Sequence, residues 1–367
     1  MAEPLKNSYG PEIPERIAKM IEAVHPDFPT AEFLAFTLDG YDELELTPRA
    51  RRIADGLARH LPPDPREAIG ILVASLGSPS EQLRGMEPFV YLPHVLFVAE
   101  HGLDCLEESF RAQYELTQRF TAEFSIRAFI ERHPEQTLTQ LKQWATDPSM
   151  HVRRLVSEGT RPRLPWAARL RRFQVDPSPV IELLEMLKDD PEEYVRRSVA
   201  NNLNDIAKDH PDVVVEVCRS WLPGASEQRQ RLIRHALRTL IKKGHPGALA
   251  LLGFEPGSPA TIKELAITPA RARIGDTLII EGTIHNGTDQ TLAVLVDLRV
   301  HFVKANGSTS PKVFKGATFH LAPGETGSVS KRISLAQQST RTHHPGEHSV
   351  EVLVNGQTKT STTFTVE

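Results

Sequence analysis

The chain has 367 residues, with 43 Lys and Arg, 47 Asp and Glu, and a formal net charge of −4. This length suits two or three domains with cores of their own. Its only cysteines, Cys105 and Cys218, are far apart, which argues against a disulfide framework or a cysteine-rich zinc site. The N-terminus lacks a signal-peptide pattern, and no apolar run is long enough to cross a bilayer. We therefore expect a soluble cytoplasmic protein without a membrane partner.

Residues 1–253 are predicted to be helical. The segments 16–24 and 50–60 carry apolar residues at helical spacing, and proline-rich breaks such as 61–65 separate the helices. Farther along, Arg119, Glu123 and Arg127 are spaced by four residues, which predicts one polar stripe on a single helix.

The signature Asp-Pro-x-x-x-Val-Arg-Arg occurs at residues 147–154 and again at 190–197. In each copy an aspartate and a proline precede a helix that carries a buried-type valine and two arginines. Residues 228–243 resemble a third, degraded copy. This period predicts a HEAT-like helical-repeat solenoid, in which each helix pair buries its apolar face against its neighbours.

Each repeat helix also places an acid on the same face as its second arginine. Arg154 and Glu158 are four residues apart in the first copy, and Arg197, Asn201 and Asp205 form a stripe in the second. Taken singly, such a pair is more often an intrahelical salt bridge, which is worth a few tenths of a kcal/mol.

The middle of the chain is basic although the whole chain is acidic. Residues 150–245 contain 18 Lys and Arg against 13 Asp and Glu. A row of guanidinium groups on a concave repeat surface would fit a phosphate backbone, although ordinary solvated helix faces are the more frequent explanation of such a charge.

Trp166 follows Glu158 closely and is flanked by arginines. An aromatic face beside a carboxylate is a good receptor for a flat cation, and a core position is the alternative. The sequence has no GxGxxG after a strand, no P-loop and no HExxH. We therefore expect no cofactor and no metal, and any catalysis would depend on carboxylates, arginines and aromatic residues.

Residues 254–260 read as a linker because of their proline, glycine and serine content. Beyond it the hydrophobic period changes from 3.6 to 2, and strands are predicted at 278–284, 293–303, 328–335, 348–354 and 359–366. Roughly seven short strands in residues 261–367 predict a small all-β immunoglobulin-like sandwich.

The helical part resembles the DNA alkylation repair enzymes of the AlkC/AlkD superfamily, and the AlkC branch in particular. The resemblance depends on the segments 43–51, 116–127, 151–166 and 194–210. The sandwich is similar to the immunoglobulin-like extension of some AlkC members. The resemblance implies a monofunctional DNA glycosylase that excises cationic N3- and N7-alkylated bases, favours 3-methyladenine and 3-methylcytosine, and cleaves without base flipping.

The resemblance also implies that Glu158, Asp205 and Glu123 face the lesion and that Trp166 lies against the damaged nucleotide. The expected partner is double-stranded DNA containing alkylated bases, bound by a monomer with no obligate protein partner. The predicted DNA-binding residues are Arg153, Arg154, Arg161, Arg163, Arg196, Arg197, Arg231, Arg234 and Arg238. Sandwich loops at 306–307 and 343–344 are predicted to reach the duplex. The alternative is a non-catalytic HEAT-repeat scaffold that binds DNA or protein.

Overall fold

We describe the protein from a computed structural model, which defines residues 4–78, 85–338 and 341–367. Within these residues the chain forms sixteen α-helices, three 3-10 helices and eight β-strands. The α-helices, numbered α1 to α16, are Glu12–Glu22, Thr30–Leu38, Leu46–His60, Pro65–Ser75, Leu92–His101, Leu106–Thr117, Glu123–Arg132, Pro134–Trp144, Met150–Gly159, Arg171–Val175, Ser178–Leu187, Glu193–Ile206, Pro211–Trp221, Glu227–Ala236, Arg238–Lys242 and Pro246–Leu251. The 3-10 helices are Leu5–Ser8, Tyr41–Glu43 and Glu87–Tyr91.

The two copies of the signature build the same turn. Asp147 Oδ1 accepts a hydrogen bond from Ser149 N at 2.7 Å, and Asp190 Oδ1 accepts one from Glu192 N at 2.9 Å. Each aspartate therefore closes the turn that precedes its helix, α9 in the first copy and α12 in the second.

The repeat helices pack on one another in chain order. Helix α9 contacts α7 and α12, and α12 contacts α14. The valines of the signature, Val152 and Val195, are fully buried, as are Leu155 and Val199 one turn later. The predicted helical repeat is confirmed, because the apolar faces of these helices are covered by neighbouring repeats.

The predicted single helix through Arg119, Glu123 and Arg127 is wrong. The chain leaves the helix between α6 and α7, and Arg119 pairs with Glu115 instead (Nη1–Oε2 2.7 Å). The Thr121 hydroxyl accepts a hydrogen bond from Glu123 N at 3.2 Å. This side chain satisfies a free amide at the helix start, so α7 begins at the glutamate.

The C-terminal part is a two-sheet β-sandwich. Its strands, β1 to β8, are Thr261–Thr268, Arg271–Ala272, Thr277–His285, Leu292–Val303, Thr309–Leu321, Thr326–Ser334, Gly346–Val354 and Gln357–Val366. One sheet has the order β1-β3-β6 and the other β2-β8-β7-β4-β5. Inward-facing residues of both sheets, among them Ile280, Leu298 and Val352, form the core. The predicted fold class, mainly α with a helical repeat followed by an all-β sandwich, is confirmed.

Sequence patterning identified β3, β4, β6, β7 and β8 and left out β1, β2 and β5. The three missed strands lie at sheet edges. Strand β2 has only two residues, and in β1 and β5 most side chains are at least partly exposed, so that the alternation of apolar and polar residues is weak. The turn at Asn355-Gly356 joins β7 to β8, and both residues have positive φ (48° and 79°). Positive φ at both central residues is the geometry that a two-residue type I′ hairpin turn requires.

Tertiary contacts divide the chain into two compact units. One comprises Met1–Asp209 with Ser226–Ala236, and the other His210–Ala225 with Leu237–Glu367. Helices α13, α15 and α16 thus group with the strands. The change from helix to strand lies at the predicted linker, but domain boundaries at 1–253, 254–260 and 261–367 stay a prediction. Within the described part of the chain, no helix is long and apolar enough to span a membrane.

Candidate active site

Three carboxylates from three successive repeat helices meet in one cluster. Glu123 is the first residue of α7, Glu158 lies in the last turn of α9, and Asp205 in the last turn of α12. Two arginines connect them. Arg154 Nη1 lies 2.5 Å from Glu123 Oε2, and its Nη2 lies 3.5 Å from Glu158 Oε1. Arg161 donates through Nη1 to Glu158 Oε1 at 2.6 Å and through Nε to Asp205 Oδ2 at 2.8 Å.

Glu158 is held on both of its oxygens. Besides the arginine contacts on Oε1, its Oε2 accepts a hydrogen bond from Ser198 Oγ at 2.6 Å. Ser198 Oγ in turn accepts one from Ser157 Oγ at 2.7 Å. Glu158 is only 6 % exposed. Its orientation is therefore fixed by groups from two helices, as a preorganised electrostatic site requires.

The other two acids differ in how they are held. Asp205, 3 % exposed, binds Arg161 through Oδ2 and Lys208 Nζ through Oδ1, at 2.8 Å each. Glu123 uses Oε2 alone, which contacts Arg154 and accepts a hydrogen bond from Thr121 Oγ1 at 2.9 Å. No described residue donates to Glu123 Oε1. This oxygen is therefore the one in the cluster that is available to water or substrate.

The cluster keeps its arginines charged. Burial alone would lower the pKa of Arg154, but Glu123 foremost and also Glu158 raise it above the ordinary value. Burial likewise opposes the charge of Arg161, and Glu158 and Asp205 outweigh it, so that the pKa of Arg161 is also raised. Both guanidinium groups therefore stay cationic wherever the protein is folded.

Two predicted stripes have different outcomes. The first is confirmed, because Arg154 and Glu158 contact each other along α9. The residues of the second all lie on α12, but its acid pairs with another repeat rather than with Arg197. Asp205 pairs across helices with Arg161, and Asn201 Oδ1 lies 3.0 Å from His235 Nε2 of α14. Each of the three carboxylates thus has a partner from another repeat, which spacing within one helix cannot predict.

Tyr194 belongs to the cluster and was missed by the sequence reasoning. The Arg154 guanidinium carbon lies 5.4 Å from its ring centre, and the His151 ring packs edge-on at 5.9 Å. Burial raises the pKa of Tyr194 above its ordinary value, so the phenol stays neutral. The sequence did contain a signal for this aromatic position, because His151 and Tyr194 both stand directly before the valine of the repeated signature.

Trp166 lies on the loop between α9 and α10 and is 75 % exposed, so the alternative of a core tryptophan is wrong. Its φ of +65° is rare for a bulky residue. Arg127 anchors the loop by donating to the carbonyls of Gly159 (3.1 Å), Arg161 (2.7 Å) and Ala168. Burial lowers the pKa of Arg127 to about 10. Trp166 lines a neighbouring pocket whose walls include neither Glu158 nor Asp205.

The first arginine of each signature copy has a structural role. Arg153 Nη1 donates to the carbonyls of Asp147 and Pro148, and Arg196 Nη1 donates to those of Asp190 and Pro191, all within 2.9 Å. Each guanidinium thus closes the turn of its own repeat.

Arg153 also joins the two repeats. It forms a two-pronged ion pair with Asp190 (Nε–Oδ2 2.6 Å, Nη2–Oδ1 3.0 Å). Most of its donors are therefore used within the protein, which argues against a phosphate contact.

Six of the remaining predicted DNA-binding arginines fall into two groups, and Arg238 stands apart. Arg161 and Arg154 are occupied in the cluster, and Arg163 forms a two-pronged pair with Asp209 (2.6 and 2.9 Å). Arg197, Arg231 and Arg234 are exposed instead. Arg197 and Arg231 line a cleft of about 320 Å³ between α12 and α14, together with Arg196 and His235. Arg238 belongs to the other compact unit.

Among the described residues, no three His, Cys, Asp or Glu side chains are grouped so that they could hold a metal ion. The acids of the cluster contact basic side chains and hydroxyl groups instead. This arrangement can stabilise positive charge on a bound substrate and can orient water at Glu123.

The fold and the site define a helical-repeat protein with a buried, arginine-linked carboxylate cluster. Residues 119–240 match the family model for DNA alkylation repair enzymes, and residues 261–367 match that for the C-terminal Ig-like domain of the uncharacterised protein YhaZ. Uncharacterised YhaZ of Bacillus subtilis strain 168 is 37 % identical over 363 residues, which cover 99 % of both chains.

A solved structure is also similar over its full length. The Pseudomonas fluorescens alkylpurine DNA glycosylase AlkC, bound to DNA containing an abasic site analog, matches with a TM-score of 0.91 and 35 % identity, covering 100 % of both chains. The chain therefore belongs to the DNA alkylation repair enzyme family, in the AlkC branch with a C-terminal immunoglobulin-like domain.

Proposed function

We propose that the protein is a monofunctional DNA glycosylase that hydrolyses the N-glycosidic bond of cationic alkylated bases in DNA, including 3-methyladenine and 3-methylcytosine. The observation that carries the proposal is the convergence of Glu123, Glu158 and Asp205, from three repeats, around Arg154 and Arg161. The similarity to an alkylpurine DNA glycosylase supports the same reaction class.

The reaction suits a site made of carboxylates. An alkylated cationic base is already a good leaving group. When the bond between C1′ and the base nitrogen breaks, its electron pair goes to the base, and the positive charge passes to the sugar. Carboxylates beside the sugar stabilise this oxocarbenium-like transition state. The oxygen of a water molecule then bonds to C1′, and a proton of that water passes to a carboxylate.

The contacts suggest different roles for the three acids. Glu158 and Asp205 have both oxygens occupied, so they serve as fixed negative charges. Glu123 presents Oε1 without a donor from the described residues, so it orients the attacking water. Charge alone also selects the substrate, because a carboxylate attracts a cationic base and gains little from a neutral one. Such selection does not require base flipping, which is part of the proposal.

Duplex DNA would be held by the exposed arginines. Arg197 and Arg231 line one cleft, and Arg234 follows on the same helix as Arg231. Their guanidinium groups can contact phosphate oxygens with two donors at once. We assign them, rather than Arg153, to the DNA backbone, since Arg153 is engaged between repeats. The protein would act as a monomer.

The test is to incubate the full-length protein with methylated DNA and identify released bases by chromatography. We expect free 3-methyladenine from the wild type, and strong loss of release with DNA binding retained in Glu158→Gln and Asp205→Asn. DNA binding without base release by the wild type would favour a non-catalytic scaffold. Wild-type rates in both variants would overturn the assignment of the site.

A further inference from the structure

A pocket of about 330 Å³ lies beside the carboxylate cluster. Helices α3, α5 and α7 and the loop before α10 form its walls. Much of the lining is apolar and aromatic, with Phe89, Leu92, Leu96, Phe124 and Trp166 among its members. The volume is at the small end of the range for small-molecule sites, about 300–1,000 Å³.

The pocket and the cluster share two structural elements. Glu123 of the cluster and Phe124 of the pocket are consecutive in the first turn of α7. Arg127, which also lines the pocket, donates to the carbonyls of Gly159 and Arg161, directly after Glu158 in the chain. A molecule that leaves the carboxylates therefore has an apolar chamber next to it.

The pocket has no excess of negative charge, because three arginines, Arg51, Arg127 and Arg169, line it against two glutamates, Glu100 and Glu131. Arg51 Nη1 and Glu100 Oε1, both lining groups, lie 3.3 Å apart. Arg127 and Glu131 also line the pocket with opposite charges. Without such an excess to attract a cation, the aromatic walls favour a flat, neutral ligand.

The proposed reaction produces such a ligand. The lesion is cationic while it is bonded to the sugar, but the base leaves with the bonding electron pair and becomes neutral. It then loses its attraction to Glu123, Glu158 and Asp205. Transfer of a flat heteroaromatic ring from that polar cluster to apolar walls becomes favourable at the same moment.

Trp166 is placed to act as one wall. Its backbone is in the left-handed region, which costs on the order of 1–3 kcal/mol and is found where surrounding structure imposes it. Arg127 fixes both ends of the loop, at the carbonyls of Gly159 and Arg161 on one side and of Ala168 on the other. The indole between them lines the pocket.

We propose that this pocket binds the excised base as a neutral methylated purine after cleavage, and so acts as a product site. The inference depends on the proposed function, because a base must first be released. It predicts that the free base binds to the protein in the absence of DNA.

The test uses free 3-methyladenine and full-length protein. The chain has three tryptophans, and Trp144 and Trp221 are at most 6 % exposed. Saturable quenching of tryptophan fluorescence is therefore expected in the wild type and absent in Trp166→Phe. In equilibrium dialysis, Ala128→Met fills the pocket and Trp166→Ala removes a wall, and each should weaken binding at least tenfold. Ala35→Met, on an exposed position of α2, is the matched control and should bind like the wild type.

Absence of saturable binding to the wild type would overturn the inference, and so would equal binding by Ala128→Met and Ala35→Met. Release of bases from methylated DNA is measured on the same preparations. A wild type that releases 3-methyladenine but does not bind it refutes the product site alone. A wild type that binds the base but releases none contradicts the proposed function.

Discussion

Arg154 Nη1 lies 2.5 Å from Glu123 Oε2 and so connects the second arginine of the first repeat to the acid that begins α7. The contact fixes one carboxylate oxygen and leaves the other without a donor from the described residues. The two adjacent arginines of the signature predict a contact with phosphate. In the structure the second one, Arg154, instead forms an ion pair within the protein, and this ion pair orients a proposed catalytic acid.

Replacing Glu123 by glutamine should abolish most of the activity. The substitution removes the charge at the only cluster oxygen without a donor from the described residues, so we expect single-turnover release of 3-methyladenine to fall by about 100- to 1,000-fold. Glu182→Gln, whose side chain is 62 % exposed on α11, is the control and should keep the wild-type rate. A rate for Glu123→Gln within about twofold of wild type would refute its role with water.

Replacing Arg161 by methionine should destabilise the fold. Glu158 and Asp205 would lose a shared cation while they remain buried, and breaking a buried pair in this way costs about 3–5 kcal/mol. Urea denaturation measures the change. Arg163→Met removes a more exposed pair with Asp209 and should cost about 1 kcal/mol or less. Equal losses in both variants would show that the cluster is not held by Arg161.

Replacing Arg197 and Arg231 by alanine should weaken DNA binding without loss of stability. Each lost phosphate contact reduces the slope of log affinity against log salt by about 1. Arg153→Ala should behave in the opposite way, with lower stability and an unchanged slope, because its contacts lie within the protein. Binding measured at several salt concentrations separates the two classes. An unchanged slope in the double variant contradicts the assignment of the cleft to DNA.

Replacing Trp166 by glycine should separate stability from activity. Glycine adopts positive φ at no steric cost, and the exposed indole buries little surface. We therefore expect a free energy of unfolding within about 1 kcal/mol of wild type and at least tenfold slower base release. Val175→Gly, equally exposed but in helix α10, should lose stability. A larger loss for Trp166→Gly than for Val175→Gly would disprove the strain argument.

Stability should fall in mild acid because of His94. The ring is fully buried, neither nitrogen has a hydrogen-bond partner among the described residues, and burial lowers its pKa to about 4. Between pH 6.5 and 4 the unfolded chain binds a proton that the folded chain does not. This difference lowers the free energy of unfolding by up to about 3 kcal/mol at pH 4. His94→Leu should flatten this dependence in urea titrations, whereas exposed His101→Leu should not.

The sequence by itself determined the repeat, the change from helix to sandwich and the identity of the three acids. Those features depend on local periodicity, on turn residues and on motifs in chain order, which are readable without a structure. The strands β1 and β5 could not be predicted from the sequence, since their apolar and polar residues alternate only weakly.

Only the tertiary structure decided how the acids and arginines pair. Spacing predicted contacts along one helix, whereas Arg161 joins Glu158 to Asp205 across repeats and Arg153 ties one repeat to the next. Ion pairs form where packing brings charges together and excludes water, and that depends on how the helices stack. The paired arginines of the signature therefore serve mainly to hold the repeats and the cluster, and the exposed Arg197 is the member that we propose for DNA.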